Sequence, residues 1–146
     1  LHNNLIKRDK LTIAGEQIDL NRITQPLYAV TAEDDHIAPW KQCYRIRKYI
    51  NVDAPVRFVL STSGHILGIV NPVTNPPKRA YWIAEPDRNE HWEHWLERAD
   101  KRAGSWWEDW TAWLGERCGE QVPAYPVSNR KYQALADAPG TYVLEK

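Results

Sequence analysis

The sequence lacks several features that usually classify a protein early. Its 146 residues include no methionine, one phenylalanine and two cysteines. The absence of methionine predicts that the chain belongs to a longer protein. Cys43 and Cys118 are too few for the disulfide framework of a small secreted domain, so we expect a cytoplasmic protein with free thiols.

Net charge and long apolar runs are also absent. The chain has 19 basic and 19 acidic residues, and acidic side chains outnumber basic ones over residues 85–120, where most of the eight tryptophans lie. A nucleic-acid-binding surface requires the opposite balance. No apolar run approaches the ~20 residues that cross a membrane as a helix. We therefore expect neither a nucleic-acid partner nor a transmembrane segment.

The first half of the chain has the pattern of an α/β protein. The segment Leu11–Leu20 predicts a small hairpin around Ala14 and Gly15, followed by a short helical turn. Two short apolar runs, 27–31 and 56–60, predict buried strands, and the segment between them predicts a helix from Pro39 to Ile50. A strand–helix–strand unit favours a parallel sheet, and we expect further strands of that sheet upstream.

The second half is rich in tryptophan. The segment 81–84 predicts a short extended piece, and Pro86–Asp87 begins a predicted helix that ends at Gly104. Ser105 is a good N-cap for a second helix. The tryptophans of these helices recur at helical spacing, which favours packing against the body of the protein over a stacking or granule-binding surface.

Two polar side chains follow the predicted parallel strands. Asp35 comes after the first strand and His65 comes after the second. The carboxyl ends of parallel strands carry the working loops of open α/β sheets, and α/β-hydrolases place nucleophile, acid and base in that order along the chain. Asp35 and His65 are therefore candidates for acid and base, although a helix-capping Asp and a surface His fit the same pattern. The sequence contains no Gly-x-Ser-x-Gly or Gly-x-Cys-x-Gly box, so the nucleophile is expected outside this chain.

Four segments resemble motifs of class I polyhydroxyalkanoate synthases, and they occur in the same order. They are E-D-D-H-I-A-P-W at 33–40, S-G-H-I-L-G-I-V-N-P at 63–72, G-S-W-W-E-D-W at 104–110 and A-P-G-T-Y-V at 138–143. The opening Leu1–Asn4 and the segment Leu11–Leu20 are similar as well. The resemblance therefore covers nearly the whole chain.

This resemblance implies the C-terminal portion of an α/β-hydrolase-like fold, with its last parallel strands and Trp-rich helices. One partial catalytic domain, 1–146, would comprise the last strands with the acid and base loops (1–84), the Trp-rich helices (85–122) and an extended tail (123–146). Such synthases polymerise 3-hydroxyacyl-coenzyme A to polyester and release coenzyme A through a Cys–His–Asp triad. His65 would be the base that activates the cysteine, and Asp35 would be the acid that orients His65 or helps to activate the 3-hydroxyl of the incoming unit. Asp35 is preferred over Asp34 because the Asp directly before His36 occupies the family's position.

The same resemblance implies that no metal or dissociable cofactor is needed. It also implies a cytoplasmic enzyme at the polyester granule surface, with possible homodimers, and it implies that this chain alone is inactive. Two other functions remain open: a fragment of a Ser-dependent esterase or depolymerase, and a non-enzymatic granule-binding module. A zinc site at His91 and His94 lacks an evident third ligand. Lys41, Arg45 and Lys48 fit a solvated helix face better than a coenzyme A phosphate site.

Overall fold

The computed structural model describes residues 2–126 and 128–145. Leu1, which opens one of the segments carrying the resemblance, lies outside the described residues. So do Val127 and Lys146, which belong to the predicted tail.

A hairpin precedes the main sheet. Strands β1 (Leu11–Ile13) and β2 (Glu16–Ile18) pair antiparallel. Ala14 and Gly15 join them with φ angles of 51° and 87°, as in the two-residue turns that fit the twist of a hairpin. A 3₁₀ turn, Leu20–Arg22, follows. The predicted hairpin and helical turn are thus confirmed.

A four-stranded mixed sheet forms the body of the chain. Its strands lie in the order β3 (Leu27–Ala32), β4 (Val56–Ser61), β5 (Ala80–Ala84) and β6 (Asp100–Ala103). Strands β3 and β4 are parallel, whereas β5 and β6 each run antiparallel to their neighbour. The three predicted extended segments are confirmed.

The last strands of the fold were expected to be parallel. This expectation is right for β3 and β4 and wrong for the strands that follow them. The backbone N–H of Thr62 donates to the carbonyl of Ala80 at 3.0 Å, so the connection from β4 returns to the sheet end that it left. A parallel continuation would need a crossover along the full length of the strand.

Within residues 2–126 and 128–145, five short α-helices lie around the sheet. They are α1 (Trp40–Cys43), α2 (Ile46–Tyr49), α3 (Leu67–Val70), α4 (Trp92–Arg98) and α5 (Trp106–Gly115). The sequence did not predict α3. Ser105 caps α5 as predicted, since its hydroxyl accepts from the backbone N–H of Trp107 at 3.1 Å.

The single helix predicted from Pro39 to Ile50 is wrong, because α1 and α2 are separate. The N–H of Arg45 bonds to the carbonyl of Gln42, three residues back, which tightens the chain between them. The break lets Tyr44 pack on Phe58 while Ile50 packs with Val56 at the start of β4.

The helix predicted to reach Gly104 is also wrong. Helix α4 ends at Arg98, and residues 100–103 form β6, an exposed strand along the edge of β5. Pairing with β5 satisfies backbone groups of this charged segment that a longer helix would have bonded internally. Lys101 also places its ammonium 4.5 Å from the ring centroid of Trp82 on β5.

Both faces of the sheet are covered, which explains the nearly continuous apolar sequence of β4. On one face, Phe58 and Leu60 pack with Trp95 of α4 and with α1. On the other face, Val59 packs with Trp106 of α5. Trp95 and Trp106 are 0% and 6% exposed, so the packing interpretation is confirmed for these two residues, whereas Trp107 of α5 is 40% exposed.

The predicted tail has little regular structure. Its described residues contain one 3₁₀ turn, Tyr142–Leu144, and no strand. Large apolar side chains there, such as Tyr125 and Leu135, are almost fully exposed.

Candidate functional site

The acid and base loops lie side by side because the β3–β4 ladder continues beyond the strands. The backbone N–H of Glu33 donates to the carbonyl of Ser61 at 2.8 Å, and the N–H of Asp34 donates to the carbonyl of Ser63 at 3.1 Å. Ser63 adopts a positive φ of 83°, which turns the chain sharply before His65. The two loops are thus fixed to each other by backbone hydrogen bonds.

The two predicted site residues meet at this edge of the sheet. Oδ2 of Asp35 lies 2.8 Å from Nδ1 of His65. The Asp35 side chain is 6% exposed, whereas that of His65 is 46% exposed. A buried carboxylate therefore supports an imidazole that solvent or a substrate can reach.

The surroundings of Asp35 favour its charged form. Its Oδ1 accepts hydrogen bonds from the backbone N–H groups of Ile37 and Ala38, both at 2.9 Å. The Ala38 bond, followed by the His65 contact, holds the pKa of Asp35 below its usual range, and the Ile37 bond adds to this against the opposing effect of burial. The two backbone bonds resemble those of a helix-capping Asp, which was the alternative interpretation of this residue. Asp35 caps its own loop with one oxygen and contacts His65 with the other.

This geometry determines how the imidazole can act. An ionised carboxylate only accepts hydrogen bonds, so Nδ1 of His65 donates to Asp35. In the neutral ring the lone pair then lies on Nε2, the nitrogen on the far side from Asp35. The pair can take a proton from a nucleophile at Nε2 and hold the resulting imidazolium against the carboxylate.

Gly68 is a functional position that the sequence reasoning missed. A Cβ at this residue would lie 2.5 Å from the Cβ of Ala32 and 3.2 Å from the carbonyl oxygen of Thr62. Helix α3 therefore packs directly on the end of β3, immediately after His65. The glycine was visible within the motif at 63–72, but only the fold shows what it touches.

Asn71 is a second residue that was missed. It is 1% exposed, has a φ of 23°, and its Nδ2 donates to Oγ of Ser61 at 3.2 Å. It thereby bonds the end of α3 to the end of β4. Ser61 is fully buried in this contact.

Three other groups considered for a chemical role have contacts or surroundings of a different kind. Burial, followed by the charge of Asp35, raises the pKa of the Cys43 thiol, which opposes a role as a thiolate nucleophile. Lys41 lies 3.9 Å over the ring of Trp92. Nδ1 of His91 lies 3.3 Å from Glu93.

Within residues 2–126 and 128–145, no group of three or more His, Cys, Asp or Glu side chains is arranged to hold a metal ion. No helix in the same ranges combines the length and the apolar character needed to cross a membrane.

Comparison with known proteins gives close relatives along the whole chain. Poly(3-hydroxyalkanoate) polymerase 1 of Ectopseudomonas oleovorans is 41% identical over 145 residues, which are 99% of this chain and 25% of that protein. The poly(3-hydroxyalkanoate) polymerase subunit PhaC of Cupriavidus necator is 39% identical over all of this chain and 24% of its own length. The chain is homologous to part of the poly(3-hydroxyalkanoate) polymerases.

This chain matches only part of each of these polymerases. The PhaC subunit of Rhizobium etli is 36% identical over 98% of this chain and 22% of its own length. The chain thus spans about a quarter of the length of the curated polymerases it matches, and it corresponds to a C-terminal part of them. No family model matches the chain.

Proposed function

We propose that this chain supplies the acid and base of a poly(3-hydroxyalkanoate) polymerase. The observation that carries the proposal is the contact of 2.8 Å between Asp35 and His65, in a chain homologous to proteins of that name. The full-length protein would polymerise 3-hydroxyacyl-coenzyme A and release coenzyme A. Its nucleophile would be a cysteine outside this chain.

In the proposed reaction, Nε2 of His65 takes the proton of the cysteine thiol. The sulfur then bonds to the thioester carbonyl carbon, and coenzyme A leaves with the proton from the imidazolium. In the next step the 3-hydroxyl of an incoming unit gives its proton to the imidazole and attacks the enzyme thioester. The ester bond forms as the carbon–sulfur bond breaks, and the cysteine sulfur takes the proton back from the imidazolium. Both carboxylate oxygens of Asp35 already accept hydrogen bonds, so we assign it the orientation of His65 and not activation of the 3-hydroxyl.

We further propose that the described sheet is the C-terminal portion of a larger α/β-hydrolase-like sheet. Strand β3 supports this, because it is an edge strand with a parallel partner and no charged side chain. Parallel strands are rarely left at an uncovered edge. The division into 1–84, 85–122 and 123–146 then describes the end of one catalytic domain.

The location and the partners of the full-length protein belong to the same proposal. An enzyme that makes an insoluble polyester from coenzyme A thioesters would act in the cytoplasm at the granule surface, with the substrate and the growing chain as its partners. Exposed apolar side chains next to His65, including Ile66 at 70% and Leu67 at 53% exposure, support contact with an apolar substrate or with the rest of the protein. Homodimer formation remains part of this proposal.

The test uses the full-length protein with Asp35→Asn and with His65→Gln. Each variant is expected to lower the rate of coenzyme A release by about 10²- to 10⁴-fold, because general acid–base catalysis contributes that much. The measurement is the steady-state release of free thiol, together with the mass of polymer formed.

Matched controls lie in the same loop. Asp34 and His36 are exposed and flank Asp35, so Asp34→Asn and His36→Gln should retain near-normal turnover. Near-normal turnover in His65→Gln would contradict the proposal. Release of free 3-hydroxy acid without polymer would instead assign the site to a hydrolase.

A further inference from the structure

The start of α5 is hydrogen-bonded to the segment that follows His65. Nε1 of Trp106 donates to the carbonyl oxygen of Gly68 at 3.2 Å, and Nε1 of Trp107 donates to that of Ile69 at 3.3 Å. Oγ of Ser105 donates to the carbonyl oxygen of Asn71 at 2.6 Å. Three consecutive residues thus bind three backbone carbonyls of α3 and its C-terminal cap.

These carbonyls need partners because α3 is very short. The last four carbonyls of any helix receive no hydrogen bond from an N–H group of the same helix. A four-residue helix is also not stable by itself. Trp106 is 6% exposed, so its indole bond to Gly68 lies in a dry environment where an unpaired carbonyl would be costly. The position of α3 therefore depends on α5.

The position of α3 in turn determines where His65 lies. The backbone N–H of Gly68 donates to the carbonyl of Gly64 at 2.8 Å, and the turn that this bond closes contains His65. Asp35 is held separately, by the continued β3–β4 ladder and by the N–H groups of its own loop. A shift of α3 would consequently act on the imidazole more directly than on the carboxylate, whose hydrogen bonds to Ile37 and Ala38 do not involve α3.

We propose that the indole N–H groups of Trp106 and Trp107, together with the hydroxyl of Ser105, are positioning groups that hold His65 against Asp35 by anchoring α3. This inference rests on the proposed base role of His65, and it adds a function for the motif at 104–107. Neither tryptophan needs to touch the substrate for this role.

The test replaces each indole by a phenyl ring in the full-length protein. Trp106→Phe and Trp107→Phe keep an aromatic ring but remove the hydrogen bond to α3. We expect Trp106→Phe to lower kcat about tenfold or more, since small misplacements of a catalytic group cost up to about a hundredfold. Trp107→Phe should act in the same direction and lower the melting temperature less, because Trp107 is 40% exposed.

The separation of kcat from KM distinguishes positioning from general destabilisation. A displaced imidazole should lower the kcat of the folded protein while KM stays close to the wild-type value, because the role assigned to the tryptophans requires no contact with the substrate.

Trp95→Phe is the matched control. Trp95 is 0% exposed and its Nε1 donates to the carbonyl of Ala84 at 3.3 Å, on the opposite face of the sheet from Trp106. This variant should lower the melting temperature while the kcat and the KM of the folded protein stay as in the wild type. An unchanged kcat in folded Trp106→Phe would overturn the inference. If Trp106→Phe does not fold, the same result in Trp107→Phe would overturn it.

The outcomes also separate this inference from the proposed function. Loss of activity in His65→Gln combined with wild-type behaviour of both α5 variants would contradict the positioning role alone. Full activity in His65→Gln would contradict both.

Discussion

At the scale of single residues, the site depends on how Asp35 divides its hydrogen bonds between its two oxygens. Asp35 uses one oxygen for two backbone N–H groups and the other for His65. Both residues could be predicted from the sequence, because they follow two strands at the sheet edge where working loops gather. Gly68 could not be interpreted in that way, since its close contact with Ala32 joins residues 36 positions apart.

Gly68→Ala is expected to destabilise the protein by about 1–3 kcal/mol, as overpacked sites do. The added Cβ would lie 2.5 Å from the Cβ of Ala32, and neither backbone segment can move without disturbing the Asp35 and His65 loops. Thermal unfolding of the full-length protein measures the change.

Gly115→Ala is the control for this substitution. No atom lies within 4 Å of a Cβ built at Gly115, and the residue is helical, so alanine there should be neutral or slightly stabilising. Equal melting temperatures for the Gly68 variant and the wild type would show that α3 does not pack tightly on β3.

At the scale of elements, Asp109 of α5 joins three strands to the helix. Its carboxylate accepts from the hydroxyl of Tyr28 on β3 at 2.9 Å and pairs with Arg57 of β4 and Arg102 of β6, each at 3.2 Å. The Asp109 side chain is 13% exposed, so the charge is largely removed from solvent. This network fixes α5 on the sheet, and through α5 it supports α3.

Asp109→Asn is expected to cost about 1.5–3 kcal/mol of stability, the range for hydrogen bonds to charged groups. The amide keeps the shape but loses the charge, so Arg57 loses the anion that it pairs with, whereas Arg102 keeps its pair with Asp100 at 2.8 Å. The free energy of unfolding in denaturant measures the effect.

Glu116→Gln provides the comparison, because Glu116 follows the same helix and pairs with Arg117 in an exposed position. Exposed pairs contribute about 0–1 kcal/mol, so little change is expected. A cost for Asp109→Asn no larger than that of Glu116→Gln would mean that the network does not stabilise the docking of α5.

The helices also show where local patterns are insufficient. The apolar spacing from Trp40 to Ile50 is helical throughout, yet two separate clusters divide the segment into α1 and α2. Similarly, residues 100–103 continue a helical pattern, but they form β6 and pair with the side of β5 that does not face β4. In both cases long-range contacts outweigh local preference, and such contacts cannot be read from spacing.

At the scale of the whole molecule, the two edges of the sheet differ in character. Edge strand β3 is apolar, half-buried and parallel to β4, whereas edge strand β6 is exposed and carries three charged residues. Charged side chains are a common protection of free edges, and β3 has none. The parallel pair was predictable from the strand–helix–strand order, while the antiparallel return of β5 depended on a loop whose path the sequence does not specify.

Hydrogen exchange of the full-length protein tests the larger sheet proposed above. Amides on both sides of β3 should be as protected as those of the central strand β4, because a further strand would pair with its free edge. The outward amides of β6 serve as the internal control and should exchange rapidly. Rapid exchange of the outward β3 amides as well would exclude a continuous sheet.

The double use of the Ser105 hydroxyl has a consequence for the range of residues that this position tolerates. One oxygen caps α5 by accepting from Trp107 and, at the same time, gives its proton to Asn71. Aspartate caps helices equally well, but its carboxylate carries no proton at neutral pH. Threonine would add a methyl group at a buried position, where Ser105 is only 1% exposed. Sequence variation across natural relatives and engineered libraries should therefore be narrower at Ser105 than helix capping alone would require.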